Sequence, residues 1–592
     1  MICHELHECS GGRGDTCYDR HAMKPKLFLI LFVLVPAVLL TAADADVIFH
    51  NGKIVTIDGK FSIQRAVALK NGRITAVGED SALLSTERGP QTQVIDLAGR
   101  TMLPGLIDSH VHPLEAGLSE LRAPLPRLDS FAAIQAYVRS HAAKAPKGEW
   151  IIVPRTFPTR LKELRMPTRE VLDVATEHPV MFDASYVVVV NTFALKVCGI
   201  SRNTPDPPRG VIIKDEEGEP NGILRNAQSL LKGINPAAGF TEQEKLQALE
   251  KMLKLYQAAG LTSIGDGAVT AEEMPLYEKL KSEHRLPVRA ALTWWLDISR
   301  PAEDLVKEIR TAAYTTNTGD DWLKWGAFKI NVDGGMTIGT AYQRQPYGPF
   351  GRQLYGKTDP ADRGQLFAPP EKSLTVMRAA RDKGWQLTAH CQGGGAIDVF
   401  LDLLETRNRE QPVAPSRSHW IHASFQSPQA IRHARQIGVL ADVQAAWLYL
   451  DAPALEKVFG YDGLRYFFPL RSYLDAAVLV AGGSDHMIGH DKNKAINPYN
   501  PFLGMWTAVT RKTDRAAVLH QEERISREEA LKMYTVWTAY RQFAENVKGS
   551  IEPGKLADLV VIDRDYLTCP VDEIKNIEPV MTILDGKIVY RK

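Results

Sequence analysis

Residues 106–112 read Leu-Ile-Asp-Ser-His-Val-His, and they follow Leu103-Pro104-Gly105 at the end of a β-rich prelude. On an extended strand, residues two apart share a face, so Asp108, His110 and His112 are expected to project the same way. Two imidazoles at the end of one strand can converge on a single cation. Zinc, iron and manganese all accept neutral imidazole nitrogen, with zinc the default. A His-x-His pair alone is commonplace. Its weight comes from its position, at a strand end directly after hairpin-like segments.

Downstream of this strand, apolar runs alternate with amphipathic stretches, the pattern of a parallel α/β fold. Candidate strands end near His112, Asp266, Trp295, Asn331, His390, His422, Gln444 and Asp485. Between them lie helical patterns such as residues 244–260 and 369–384, each closed by glycine. Eight strands with intervening helices predict a closed (β/α)8 TIM-like barrel. An open doubly wound sheet is the alternative, and no Gly-rich phosphate loop supports it.

The flanks differ in texture. Residues 46–58, 65–78 and 92–105 alternate apolar and polar positions with Asn-Gly or Gly punctuation, and residues 554–567 and 580–592 return to the same pattern. This predicts a small composite β domain made from 46–103 plus 548–592, flanking a barrel over 104–547. About 150 residues separate His112 from the next strand, far beyond an ordinary connection. Within that gap sit WIIVP, PVMFD, SYVVVVN and GVIIK, which predict an inserted, partly β cap over about 113–260. A loop leaving a strand's C-terminal end lies over the active face of a barrel, so the cap is placed to shape specificity.

Residues 1–45 read as a leader. From Met23 the chain runs MKPK, then an apolar stretch from Leu27 to Leu40, then TAADA, the layout of a secretory signal peptide cleaved after Ala43 or Ala45. This implies a secreted or periplasmic protein, with an uncleaved membrane anchor as the alternative. Cys3, His4, His7, Cys9 and Cys17 lie upstream of Met23, the better start, and are set aside as a metal tract. The remaining Cys198, Cys391 and Cys569 form no disulfide framework. Across the 592 residues, 71 basic and 70 acidic side chains leave a net charge of +1. That balance gives no support to a nucleic-acid partner and suits a small-molecule substrate; a homo-oligomer is compatible with it.

Further ligand types recur at later strand ends: His390 after WQLTA, His422 after SHWI, and Asp485 after AVLVAGGS. A lone strand-end histidine is more often a hydrogen-bonded core residue, but their joint recurrence at one end of successive strands points to a shared site. Lys329 places a cation inside an apolar strand, and its structural reading is a pair with Asp333. His486 and His490 read as loop histidines facing solvent. Cys391 points away from His390, and Trp294 and Trp295 end the third candidate strand, where lining a pocket is open to one of them and core packing is the equal alternative.

These residues resemble the amidohydrolase superfamily, in its YtcJ-like branch with N-substituted formamide deformylase. The resemblance rests on LPGLIDSHVH, FKINVDGG, AHCQGGGAID, GGSD and SIEPGKLADLVVIDRD, and spans nearly the whole chain after the leader. It implies that His110 and His112 are the first-strand metal pair, with His390 and His422 as fifth- and sixth-strand ligands. Lys329 corresponds to the lysine that bridges two metals when carboxylated. Asp485 corresponds to the eighth-strand aspartate that binds metal and accepts the proton of attacking water. The implied cofactor is a divalent metal, zinc by default, as one or two ions. The chain departs from the family pattern at Ile421, at Gly393 to Gly395, and at Asp183-Ala184-Ser185-Tyr186, all of which bear on the substrate.

The implied chemistry is metal-assisted hydrolysis of a non-peptide C–N bond in an amide, formamide or cyclic ureide. A deaminase on the same scaffold is one alternative, and a non-catalytic binding barrel is another. With one ion, the expected arrangement is His110, His112, His390 and Asp485 as ligands, His422 polarising the substrate, and Lys329 paired with Asp333.

Overall fold

The computed structural model describes residues 44–234 and 239–592. The expected leader, apart from its last two residues, lies outside the described residues.

Eight parallel strands follow one another around a sheet in strict chain order. They are β1 (Leu106–Val111), β2 (Leu261–Val269), β3 (Arg289–Trp295), β4 (Leu323–Asn331), β5 (Gln386–Cys391), β6 (His419–His422), β7 (Leu440–Val443) and β8 (Val480–Gly482). Closure runs through the residues just after β8. Val111 and His486 form a parallel bridge, the Asp485 amide donates to the His110 carbonyl (2.7 Å), and the His112 amide donates to the His486 carbonyl (2.8 Å). The sheet is thus a (β/α)8 barrel, and the closing seam carries Asp485 to the His110–His112 strand.

The helices form where the sequence pattern and caps agree. Glu242–Ala258 begins with a reciprocal capping box between Thr241 and Glu244 and buries Leu246, Leu249, Met252, Leu253 and Tyr256 on one face. Pro370–Lys383 stops at Gly384, whose φ of 100° opens the left-handed turn that ends the helix. Between the β3–β4 wall and its covering helices, Trp294 packs against Trp385, Phe328 and Tyr314. Truncating a fully buried tryptophan such as Trp385 costs about 3–5 kcal/mol.

Two further β layers flank the barrel. Strand Leu559–Ile562 from the C-terminal end pairs antiparallel with Thr101–Pro104 from the N-terminal end, inside one six-stranded sheet. The N-terminal end also forms a four-stranded sheet. In the segment between β1 and β2, a five-stranded sheet is built from Ile151–Val153, Val180–Ala184, Val187–Val190, Val211–Lys214 and Pro220–Arg225. Its own apolar core includes Phe157, Phe182, Val189 and Ile223.

Candidate metal centre

His110, His112 and Asp485 bring one ligand atom each to within 4.8 Å of one another. His110 projects from β1. His112 lies one residue past that strand and starts the helix Pro113–Ser119. Both Nε2 atoms approach Asp485 Oδ1, at 3.3 Å from His110 and 3.1 Å from His112. His110 Nε2 is buried and has no hydrogen-bond partner among the described residues despite that proximity. A buried polar nitrogen without a partner is costly, and a cation on its lone pair would satisfy it. The donor set therefore fits a divalent metal. Asp108, on the same strand, turns to other work: its Oδ1 accepts from the amides of His110 and Ser484, tying β1 to the closing segment.

Glycine makes room for this cluster. A Cβ at Gly267 on β2 would overlap the imidazole of His110, so only glycine lets the ring lie against the neighbouring strand. Asp485 and His422 are held in left-handed backbone conformations, with φ of 52° and 76°. Such strain in non-glycine residues clusters at functional sites. At His422 it has a visible purpose. His422 is in register with Cys391, and strand parity groups it with Trp420, which packs on Tyr473 of helix Leu470–Asp475. The left-handed turn redirects His422 into the barrel mouth, 5.5 Å from the His110 ring and 4.5 Å from the His390 ring, centroid to centroid.

The protonation pattern of the other two histidines follows from their partners. His390 Nδ1 lies 3.1 Å from Asp333 Oδ1, an acceptor, so Nδ1 carries a proton and Nε2 is the nitrogen left to face a ligand. His422 Nδ1 lies 2.8 Å from Gln444 Oε1, while Gln444 Nε2 donates to Asp442 Oδ1 (3.2 Å). That second bond orients the amide, which again puts the proton on Nδ1. Burial, reinforced by His390, holds His422 well below the ordinary histidine range, and burial with Lys329 does the same to His110. These are neutral imidazoles with a free Nε2, which suits ligands. A polarising His422 would need a proton on Nε2, so the geometry does not favour that expectation.

Lys329 also departs from the expected pairing. Its ammonium donates to the Gly267 carbonyl (2.9 Å), and burial pulls it down to about 8 against the opposing pull of Asp485 and Asp266. Asp333 is fully engaged elsewhere, accepting from His390 Nδ1 and from the amides of Tyr342, Gln392 and Gly393. It has no oxygen left for the lysine. Burial alone would raise Asp485, but His110 and His112 hold it well below the carboxylate range.

A cavity of about 350 Å³ lies over the cluster, and His112, Lys329, His390, His422 and Asp485 all line it. Several other lining residues escaped the sequence reading. Trp447 stacks on His422 at 5.0 Å, Asp266 accepts from the Tyr277 hydroxyl (2.6 Å), and Asn497 Nδ2 donates to the Asp485 carbonyl (2.7 Å). Arg155, from the inserted segment, bridges Asp183 (3.1 Å) and Glu115 (2.8 Å) at the rim. Asp266 alone had a signal, as a strand-end residue. Trp295 lines the cavity while Trp294 is buried in the core. His486 does not face solvent, and His490 is only partly exposed to it. His486 is buried between the Tyr256 hydroxyl (2.7 Å) and the Gly489 carbonyl (2.7 Å), and His490 Nε2 contacts the Gly117 carbonyl (3.2 Å). The closing seam folds back on the Glu242–Ala258 helix, and that buries the His486 ring, while His490 stays partly exposed against the Pro113–Ser119 helix.

Fold and site together define a (β/α)8-barrel protein with a candidate metal centre at the C-terminal ends of its strands. The family model described as the amidohydrolase family matches residues 93–590, and the chain belongs to that family. Across 557 residues it is 29% identical to N-substituted formamide deformylase of Arthrobacter pascens, covering 92% of this chain and 98% of that one. It is 28% identical to the putative amidohydrolase YtcJ of Bacillus subtilis (strain 168), over 92% of this chain and 99% of that protein. Among solved structures, an uncharacterized metal-dependent hydrolase from Pyrococcus horikoshii shares the fold, with a TM-score of 0.65 at 21% identity over 89% of this chain and 99% of that one.

Proposed function

We propose that the chain hydrolyses a non-peptide carbon–nitrogen bond of a small amide, formamide or cyclic ureide with the help of a divalent cation, zinc by default. The observation that carries this reading is the convergence of His110, His112 and Asp485 within 4.8 Å, with the His110 Nε2 buried and unpartnered beneath a substrate-sized cavity. The N-substituted formamide deformylase relative supports it as a likeness. His110, His112 and Asp485 would hold the ion, and the Nε2 atoms of His390 and His422 would extend the donor set. A cation held there supplies Lewis acidity and lowers the pKa of water.

The protein's own residues divide the remaining work. Asp485 Oδ1 faces the two imidazoles. Oδ2 accepts one hydrogen bond among the described residues, from Asn497 Nδ2 at 3.5 Å, and is the oxygen placed to take a proton from attacking water. Asp333 and Gln444 fix the tautomers of His390 and His422 through their Nδ1 protons. Lys329, buried among the carboxylates, is the group whose carboxylated form would accompany a second ion. The test is metal analysis of purified protein, followed by a panel of N-formyl and N-acyl amines. A released carboxylate with about one or two equivalents of metal is expected for such sites. Ammonia as the product would move the reading to a deaminase, and metal-free protein with full activity would refute it.

A further inference from the structure

Beneath the histidine cluster, inside the barrel, lies a buried ion pair that the proposed chemistry does not use. Arg541, at the end of helix Val536–Arg541, enters from the N-terminal ends of the strands, where its carbonyl accepts from the side chain of Gln386, the first residue of β5 (3.0 Å). Its guanidinium meets Asp442 of β7 at 3.3 Å, and both side chains are buried. Gly265 on β2 leaves the space, since a Cβ there would overlap the Ser109 carbonyl and press on the guanidinium of Arg541.

The bonds around this pair have a fixed direction. Arg541 Nη1 donates to His419 Nε2 (2.7 Å), and Nη2 donates to the Ser109 carbonyl (2.7 Å). The Ser109 hydroxyl in turn donates to Asp442 Oδ1 (2.6 Å). That same oxygen accepts from Gln444 Nε2 (3.2 Å), while Gln444 Oε1 accepts from His422 Nδ1 (2.8 Å). A guanidinium only donates and an ionised carboxylate only accepts, so the chain from His422 through Gln444 runs toward Asp442.

One ion pair thus reaches two candidate ligands at once. Ser109 immediately precedes His110 on β1, and Gln444 holds the imidazole of His422. Ser109, His419, His422, Asp442 and Gln444 are all buried, so bulk water does not compete for these bonds. A neutral amide in place of the Asp442 carboxylate would reverse the chain. With its oxygen held toward Arg541, its NH2 would face Gln444, and the glutamine amide would turn over to accept. Gln444 would then present its own NH2 to His422 Nδ1, and the imidazole proton would move to Nε2.

We infer that Arg541 and Asp442 are positioning residues for the metal centre, which fix from below the direction of the Gln444 amide and so keep His422 Nε2 open to a cation. This rests on His422 serving as a ligand in the reading above. The test uses the full chain with histidine labelled at its ring nitrogens, freed of metal, the His422 resonances being recognised by their loss in His422→Ala. Wild-type protein should carry the His422 proton on Nδ1. Asp442→Asn should move it to Nε2 and weaken zinc binding by about 10–100-fold, read by competition with a chromophoric chelator. Adding Gln444→Glu to Asp442→Asn restores an acceptor for Nδ1, and should return the proton and most of the affinity. A merely structural loss would be compounded by that second substitution. Adding Arg541→Met to Asp442→Asn instead frees the new amide to turn its oxygen to Gln444, and should also return the proton to Nδ1. A proton on Nε2 in the wild type, or on Nδ1 in Asp442→Asn, would overturn the inference. A proton that stays on Nε2 after Arg541→Met is added would overturn the part given to Arg541. A proton that moves to Nε2 in Asp442→Asn with zinc affinity unchanged would uphold the chain of bonds and overturn His422 as a ligand.

Discussion

Asp333→Asn preserves shape to within an atom and should nevertheless be severe. Oδ1 of Asp333 accepts from His390 Nδ1 (3.1 Å) and the Gln392 amide (3.0 Å), and Oδ2 accepts from the amides of Gly393 (2.8 Å) and Tyr342 (2.9 Å). An asparagine presents one oxygen and one NH2. In either orientation two of the four bonds are lost, and the new donor is set against two existing donors. Asp333 is fully buried, so water cannot step in. Each lost bond to a charged acceptor is worth about 1.5–3 kcal/mol, which sums to about 3–6 kcal/mol for two. Urea unfolding followed by tryptophan fluorescence would measure it as a lowered midpoint, with Asp297→Asn as the control. Asp297 bonds only Ser299 near the surface, and its variant should change stability by less than about 1 kcal/mol. Metal affinity should also fall by about 10–100-fold as His390 loses its orienting partner. A loss of stability below about 1 kcal/mol in Asp333→Asn would refute the claim that all four bonds are made.

Three other substitutions test the centre itself. Replacing His110 and His112 together with Ala should remove bound metal and activity in one step; stoichiometric metal in a folded double variant, read by elemental analysis, would contradict the assignment. Gly267→Ala inserts a methyl group into the space of the His110 ring, so metal should bind at least about tenfold more weakly while circular dichroism stays that of the wild type. Unchanged affinity would mean that the ring has room to move. Asp485→Asn keeps the side chain's size but removes its basicity, and turnover should drop by at least about 100-fold, with near-normal turnover dismissing it as the proton acceptor.

Much of the architecture was legible from residue order because it rests on local periodicity. Alternation with a period of two and of 3.6 marks strands and helices wherever one face is buried, and this located all eight barrel strands and the helix Glu242–Ala258. The same local geometry placed His110, His390 and Lys329 at strand ends facing the barrel mouth. Hydrogen-bond partners are another matter, since they depend on which distant segments meet when the barrel closes. Tyr256 and His486 are bonded across 230 positions, and Ser109 and Asp442 across 333. No local pattern encodes such pairs, and so the sequence reading sent His486 to solvent and Lys329 to Asp333.

Identity and spacing along the chain therefore settled which side chains could serve as ligands, because residue chemistry and strand parity are local properties. Tertiary structure decided how each one is placed. Left-handed backbone at His422 overrides parity and turns its side chain inward, and it persists because the surrounding structure holds it against its conformational cost. Closure of the barrel brings Asp485 against a strand about 375 residues earlier in the chain, where two imidazoles outweigh the burial that would otherwise raise its pKa. The inserted sheet sets Tyr186 on the rim by the same means, through contacts made only once the chain has folded.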